Sequence, residues 1–131
     1  MLQSGLSVTL DIAAETTVQV VPAYLDSILL NLLSNAIKYR STTVAPQLAL
    51  GCYREDDYTV LTIRDNGRGI NMARNHDMLF GMYKTFHDND DARGLGLFIT
   101  KNQVEAMNSK IEVESEVEVG STFKVYFSEI V

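Results

Sequence analysis

The chain has no tryptophan, one cysteine, two prolines and two histidines in 131 residues. Cys52 alone cannot form an intrachain disulfide, and a cysteine-rich metal site is excluded with it. No stretch approaches the roughly 18 apolar residues of a membrane-crossing helix. The opening Met1-Leu2-Gln3-Ser4 lacks a basic segment followed by an apolar one, so it does not read as a secretory signal. Positive charge is scarce too: 11 Lys and Arg stand against 17 Asp and Glu, a formal charge of −6. Nonspecific nucleic-acid binding depends on basic surface and is disfavoured. These absences fit a cytoplasmic domain with no membrane contact of its own and no nucleic-acid partner.

What is present is ordinary globular composition, 46% apolar and 21% charged, in a chain long enough for one real core. Residues 1–131 read as a single domain without repeat, low-complexity tract or linker. The cations Lys38, Arg40, Arg54, Arg64, Arg68, Arg74, Lys84, Arg93 and Lys101 fall in the middle, while the ends are mostly acidic. Either an anionic ligand or a solvated charge mixture accommodates this distribution.

Alternation of Val8, Leu10 and Ile12 predicts a half-buried strand over 7–12, and Thr17 to Val21 a second short strand. Pro22 suits the first turn of a helix. Leu25, Ile28, Leu29, Leu32, Leu33, Ala36 and Ile37 then recur at helical spacing to about Tyr39. Leu48 to Tyr53 and Tyr58 to Arg64 read as a hairpin through the acidic turn Glu55-Asp56-Asp57. A short helix is expected within 71–81 and a mobile polar loop over 83–93. Helical periodicity returns from Gly94 to Met107, with Asn108 able to stop it in a left-handed conformation. Ile111 to Ser115 and Thr122 to Phe127 read as a closing hairpin. Hairpins with only two long helices predict an α+β two-layer sandwich: one mixed, mainly antiparallel sheet with helices on one face.

Three segments carry chemistry. Asn31 and Asn35, four apart on the first helix, point the same way. Their amides bond to backbone or water, or an amide oxygen holds Mg²⁺, a hard cation that takes oxygen ligands. Lys38 follows within reach of a phosphate. Asp65 ends an apolar strand before Asn66-Gly67-Arg68-Gly69. It is either part of a simple turn or an acceptor for the exocyclic amine of adenine, with the glycines allowing close backbone approach. Gly94-Leu95-Gly96-Leu97 stands where a loop meets a helix, whose free N–H groups favour phosphate. Neither the P-loop nor the dinucleotide fingerprint is matched.

In this order the segments resemble the N, G1 and G2 boxes of the GHKL (Bergerat) ATP-binding fold. The resemblance is strongest to the catalytic ATP-binding domain of bacterial sensor histidine kinases. Leu79 to Tyr83 is similar to the F box, and Gly120-Ser121-Thr122-Phe123 to the closing strand signature, so about residues 5–128 are covered. The resemblance implies ATP and Mg²⁺ as ligands. Asn35 and Asn31 would serve the metal. Lys38 and Arg93 would meet phosphate, and these two with Asn35 would form the catalytic set. Tyr39 would lie against the nucleotide, and Asp65, with Thr122 beside it through water, would hold adenine. Gly67, Gly69 and Ile70 would shape the base pocket, and Gly94, Leu95, Gly96 and Leu97 would close over phosphate behind a lid of about 71–93.

Two departures bear on this. Ala92 stands where the family often has a further glycine. Asn31 stands where the ATP-hydrolysing branch has a glutamate, and asparagine cannot activate water as a base at neutral pH, which favours phosphoryl transfer. His76 and His87 lack the helix-and-acid setting of a phosphoacceptor. The expected partner is therefore a helical dimerisation domain of the same protein, membrane-anchored or soluble, placed before Met1, with a response regulator downstream. The isolated domain is expected to be monomeric and nearly inactive in self-labelling. The alternatives are an anti-sigma-factor-type protein-serine kinase and a non-catalytic docking domain.

Overall fold

The computed structural model describes residues 7–12, 18, 20–69 and 91–129, with side chains of 91–96 left aside. The elements are β1 (Ser7–Asp11), α1 (Pro22–Lys38), β2 (Gln47–Glu55), β3 (Tyr58–Asp65), α2 (Asp91–Ala106), β4 (Lys110–Glu116) and β5 (Gly120–Ser128). They build one five-stranded sheet in the order β1-β2-β3-β5-β4. β1 runs parallel to β2 and every other pairing is antiparallel. This is the expected mixed α+β sandwich.

Each hairpin turns at a residue that tolerates positive φ or is held there. Asp56 (φ 53°) joins β2 to β3, and Glu118 (φ 67°) lies between β4 and β5. Pro22 opens α1, Val21 caps it without a side-chain bond, and Tyr39 closes it. Asn108 (φ 57°) follows α2, as its short polar side chain allows.

The core lies between the helices and one sheet face. Ile28 and Leu32 of α1 and Leu97 and Val104 of α2 meet Leu48, Leu61, Ile63, Phe123, Val125 and Phe127. Burying one such side chain fully contributes roughly 1.5–3 kcal/mol. On β5, Phe123, Val125 and Phe127 alternate with Thr122, Lys124 and Tyr126, so odd positions face the helices.

Three expectations about elements change. β1 is exposed along its whole length, with Leu10 69% accessible, because it forms the outer strand and contributes nothing to the core. Val18, Val20 and Val21 form no strand; Val18 and Val20 instead pack against the core cluster, and Val21 caps α1. α2 begins at Asp91, three residues before Gly94, because Ala92 and Arg93 are good helix formers. The helix expected within 71–81, and the loop of 83–93 up to residue 90, lie outside the described residues. No helix among the described residues is long and apolar enough to cross a membrane.

The sheet face away from the helices holds an aromatic cluster. Tyr58 and Tyr126 meet edge to face at 5.8 Å, with Lys110 Nζ 4.6 Å from the Tyr126 ring centre. Burial pushes the Tyr126 phenol up to about 12, helped by a hydrogen bond to Glu112 and by that carboxylate's charge. The phenol of an unfolded chain ionises near 10. The unfolded state therefore loses its proton first as pH rises. The contribution of Tyr126 to stability is whole below pH 10 and falls as pH climbs towards 12. An ultraviolet phenolate titration should show a late-ionising tyrosine whose contribution disappears in Tyr126→Phe; an unchanged curve counts against this placement.

Candidate functional site

Asn31 and Asn35 sit half-buried on α1. Asn31 Nδ2 donates to Thr100 Oγ1 of α2 at 3.2 Å, and Thr100 is fully buried. This bond ties the two helices across 69 positions of sequence. Thr100→Val keeps the shape and removes that acceptor, so it should lower unfolding free energy by about 1 kcal/mol. Chemical denaturation measures this; a variant as stable as the wild type would deny the bond a structural role.

The Asn35 amide nitrogen is buried and meets no hydrogen-bond partner among the described residues. A buried amide left so costs roughly 1–3 kcal/mol until something engages it. Amide oxygens are hard donors, so the Asn31 and Asn35 pair fits Mg²⁺ that takes its other ligands from phosphate and water. No group of three or more His, Cys, Asp or Glu that could hold a metal occurs among the described residues.

At the end of α1, Lys38 is exposed and Tyr39 is buried. Lys38 Nζ and Arg68 Cζ lie 5.4 and 5.7 Å from the Tyr39 ring centre. Lys38, Arg40 and Arg68 together line a recess of about 480 Å³. Arg40 and Arg68 were not among the expected ligands, and their position follows from the turn after β3 docking on the end of α1.

That docking is made by backbone. Arg68 N donates to Tyr39 O at 3.1 Å, and Glu118 N donates to Arg68 O at 2.7 Å. Gly67 N donates to Asp65 Oδ1 at 2.8 Å, which fixes the carboxylate at the end of β3. Gly69 has φ +74°, and a Cβ there would collide with the Glu116 carbonyl. The expectation that these glycines permit close approach therefore holds. The turn is clamped between α1 and the β4–β5 hairpin.

The register corrects one site residue. Asp65 pairs with Ser121, whereas Thr122 pairs with Arg64. Facing residues in a sheet share a side. Thr122 therefore points to the face away from the helices, and Ser121, 4% exposed, lies beside Asp65. The alternation of Phe123, Val125 and Phe127 carried this signal, since it sets Ser121 inward and Thr122 outward.

Gly94, Leu95, Gly96 and Leu97 fall inside the first two turns of α2 rather than ahead of it. Leu97 is fully buried in the core, so its side chain supports the helix and does not face a ligand. Ile70 and the side chains of Arg93 and Leu95 lie outside the described residues, as does the lid up to residue 90.

The profile of the family described as histidine kinase-, DNA gyrase B-, and HSP90-like ATPase matches residues 20–130. Cyanobacterial phytochrome A of Nostoc sp. is 39% identical over 100 residues, covering 75% of this chain and 12% of that protein. Sensor protein SrrB of Staphylococcus aureus is 36% identical over 106 residues, covering 76% and 17%. This chain therefore spans less than a fifth of either relative. The catalytic domain of histidine kinase ThkA has a like fold, with a TM-score of 0.80 at 18% identity, over 98% of this chain and 83% of that one.

Proposed function

Because this chain belongs to the histidine kinase-, DNA gyrase B-, and HSP90-like ATPase family, as an ATP-binding domain of the sensor histidine kinase type, we propose that it binds Mg-ATP. It then supplies the γ-phosphoryl group to a histidine on a separate helical dimerisation domain of the same protein. One observation carries the ligand reading: Asp65 is fixed by the Gly67 amide and paired with Ser121 at the edge of a turn that docks on the α1 end bearing Lys38.

In this reading Asp65 accepts from the adenine amine, and Ser121 takes the neighbouring role first given to Thr122. Tyr39, Gly67, Gly69 and Ile70 shape the base pocket. Lys38 and Arg93 offset phosphate charge, and Gly94 to Gly96 bring backbone close to the phosphates. Asn35 and Asn31 would hold Mg²⁺, which when bound neutralises charge spread over the phosphates. Phosphoryl transfer asks for placement and charge compensation more than for covalent work by the protein. Asn31 offers no carboxylate to activate water, which favours transfer over hydrolysis. The acceptor imidazole comes with the dimerisation domain, and the phosphate passes on to a response regulator. The domain acts on the cytoplasmic side, where ATP is, and is monomeric by itself.

Calorimetry with Mg-ATP tests the first half of this reading. Binding is expected, with little self-labelling from radioactive ATP by the 131-residue chain. Rapid self-labelling, stable to base and labile to acid, would place the acceptor within the chain and overturn the second half.

A further inference from the structure

Ser115 has no part in the roles above, yet it stands in line with them. It pairs with Ser121, which pairs with Asp65, so the three form a row across β4, β5 and β3 on the helix-facing side. Ser115 Oγ donates to the Gly120 carbonyl at 2.9 Å and lies 2.7 Å from Ser121 Oγ.

A hydroxyl has one hydrogen and two lone pairs. With the Ser115 hydrogen on Gly120 O, the hydrogen between the two serines comes from Ser121. Ser121 is then left with lone pairs to offer a ligand. An ionised carboxylate likewise only accepts. Two neighbouring groups on the base-facing side are thus set as acceptors, one by its charge and the other by Ser115.

Resting on the nucleotide reading above, the geometry points to Ser115 as a positioning residue for purine selectivity. It holds the Ser121 proton away from the ligand, so a base with an amine at its six-position is favoured over one with a carbonyl there. A carbonyl facing two acceptors finds no donor, and a site built on hydrogen bonds rejects such an analogue strongly. Without Ser115, the Ser121 hydroxyl can turn and donate, and the carbonyl base becomes less disfavoured.

The experiment compares affinities of the purified protein for Mg-ATP and Mg-ITP, whose bases differ at that position and in the hydrogen that the ITP base carries on N1, and reads the change in their ratio between variants. Ser115→Ala is expected to narrow the preference for ATP by roughly three- to tenfold, the scale of one hydrogen bond. Ser115→Thr keeps the hydroxyl and should keep the wild-type ratio, which a mere packing role would not require. Adding Ser121→Ala to Ser115→Ala removes the new donor and should widen the ratio again. If Ser115→Ala does not fold, Ser115→Cys, similar in size and a weak acceptor, reads the same ratio. A wild-type ratio in the folded variant overturns the role of Ser115 and leaves the nucleotide reading standing. No Mg-ATP binding by the wild type overturns both.

Discussion

Asp65→Asn should weaken Mg-ATP binding by roughly tenfold or more. Asp65 Oδ1 already accepts from the Gly67 amide at 2.8 Å, so an asparagine would keep its oxygen there. Its NH₂ would then face the adenine amine, donor against donor. A hydrogen bond to a charged group contributes about 1.5–3 kcal/mol, and setting two donors face to face adds to that loss. Because a decade of affinity is about 1.4 kcal/mol, the effect is large enough for calorimetry. The variant should fold, since the Gly67 bond survives. Unchanged affinity in a folded Asp65→Asn would remove the adenine assignment.

Gly120→Ala should be strongly destabilising. Gly120 opens β5 at φ +141°, a conformation that side chains strain to adopt. A Cβ there would also collide with the Asp65 carbonyl and crowd Asn66 Cα. Those atoms belong to backbone that the Asn66 side chain already pins, through Asn66 Oδ1 to Gln47 N at 2.8 Å and Asn66 Nδ2 to Ala45 O at 3.0 Å. The clash cannot be relieved by turning a flexible side chain. Strain and displaced backbone together should cost on the order of 3 kcal/mol or more, a large share of the 5–15 kcal/mol typical of a domain. Denaturant unfolding followed by circular dichroism checks this, and a loss of less than about 1 kcal/mol would mean that the β3 end yields easily. Any variant that folds should also bind Mg-ATP poorly, because Asp65 must shift with its own carbonyl.

Much of the architecture was legible because each element carries its own period. The stripe of α1 runs through Ile28 and Leu32, and both proved buried. The hairpins around Asp56-Asp57 and Glu118 announced themselves by acidic or glycine-marked turns between alternating runs. The exposure of β1 was not legible. Alternation tells which residues share a side of a strand, but not whether anything covers that side. The start of α2 was obscured because two glycines drew attention from the helix formers before them. The Asn31–Thr100 bond joins residues 69 apart, and neither neighbourhood marks the other. The exchange of Thr122 for Ser121 is a different kind of miss. The alternation of β5 specified it, but matching a short motif without counting strand faces passed over it.

The bond from Asn31 to Thr100 gives the two helices a shared thermodynamic account. Coupling between sites is reciprocal for binding equilibria. Whatever order a ligand on Asn31 lends to α2, a docking partner that steadies α2 lends back to that ligand in equal measure. Disturbing α2 where Thr100 holds Asn31 would therefore weaken any ligand held on Asn31, to the extent that this bond couples the two helices.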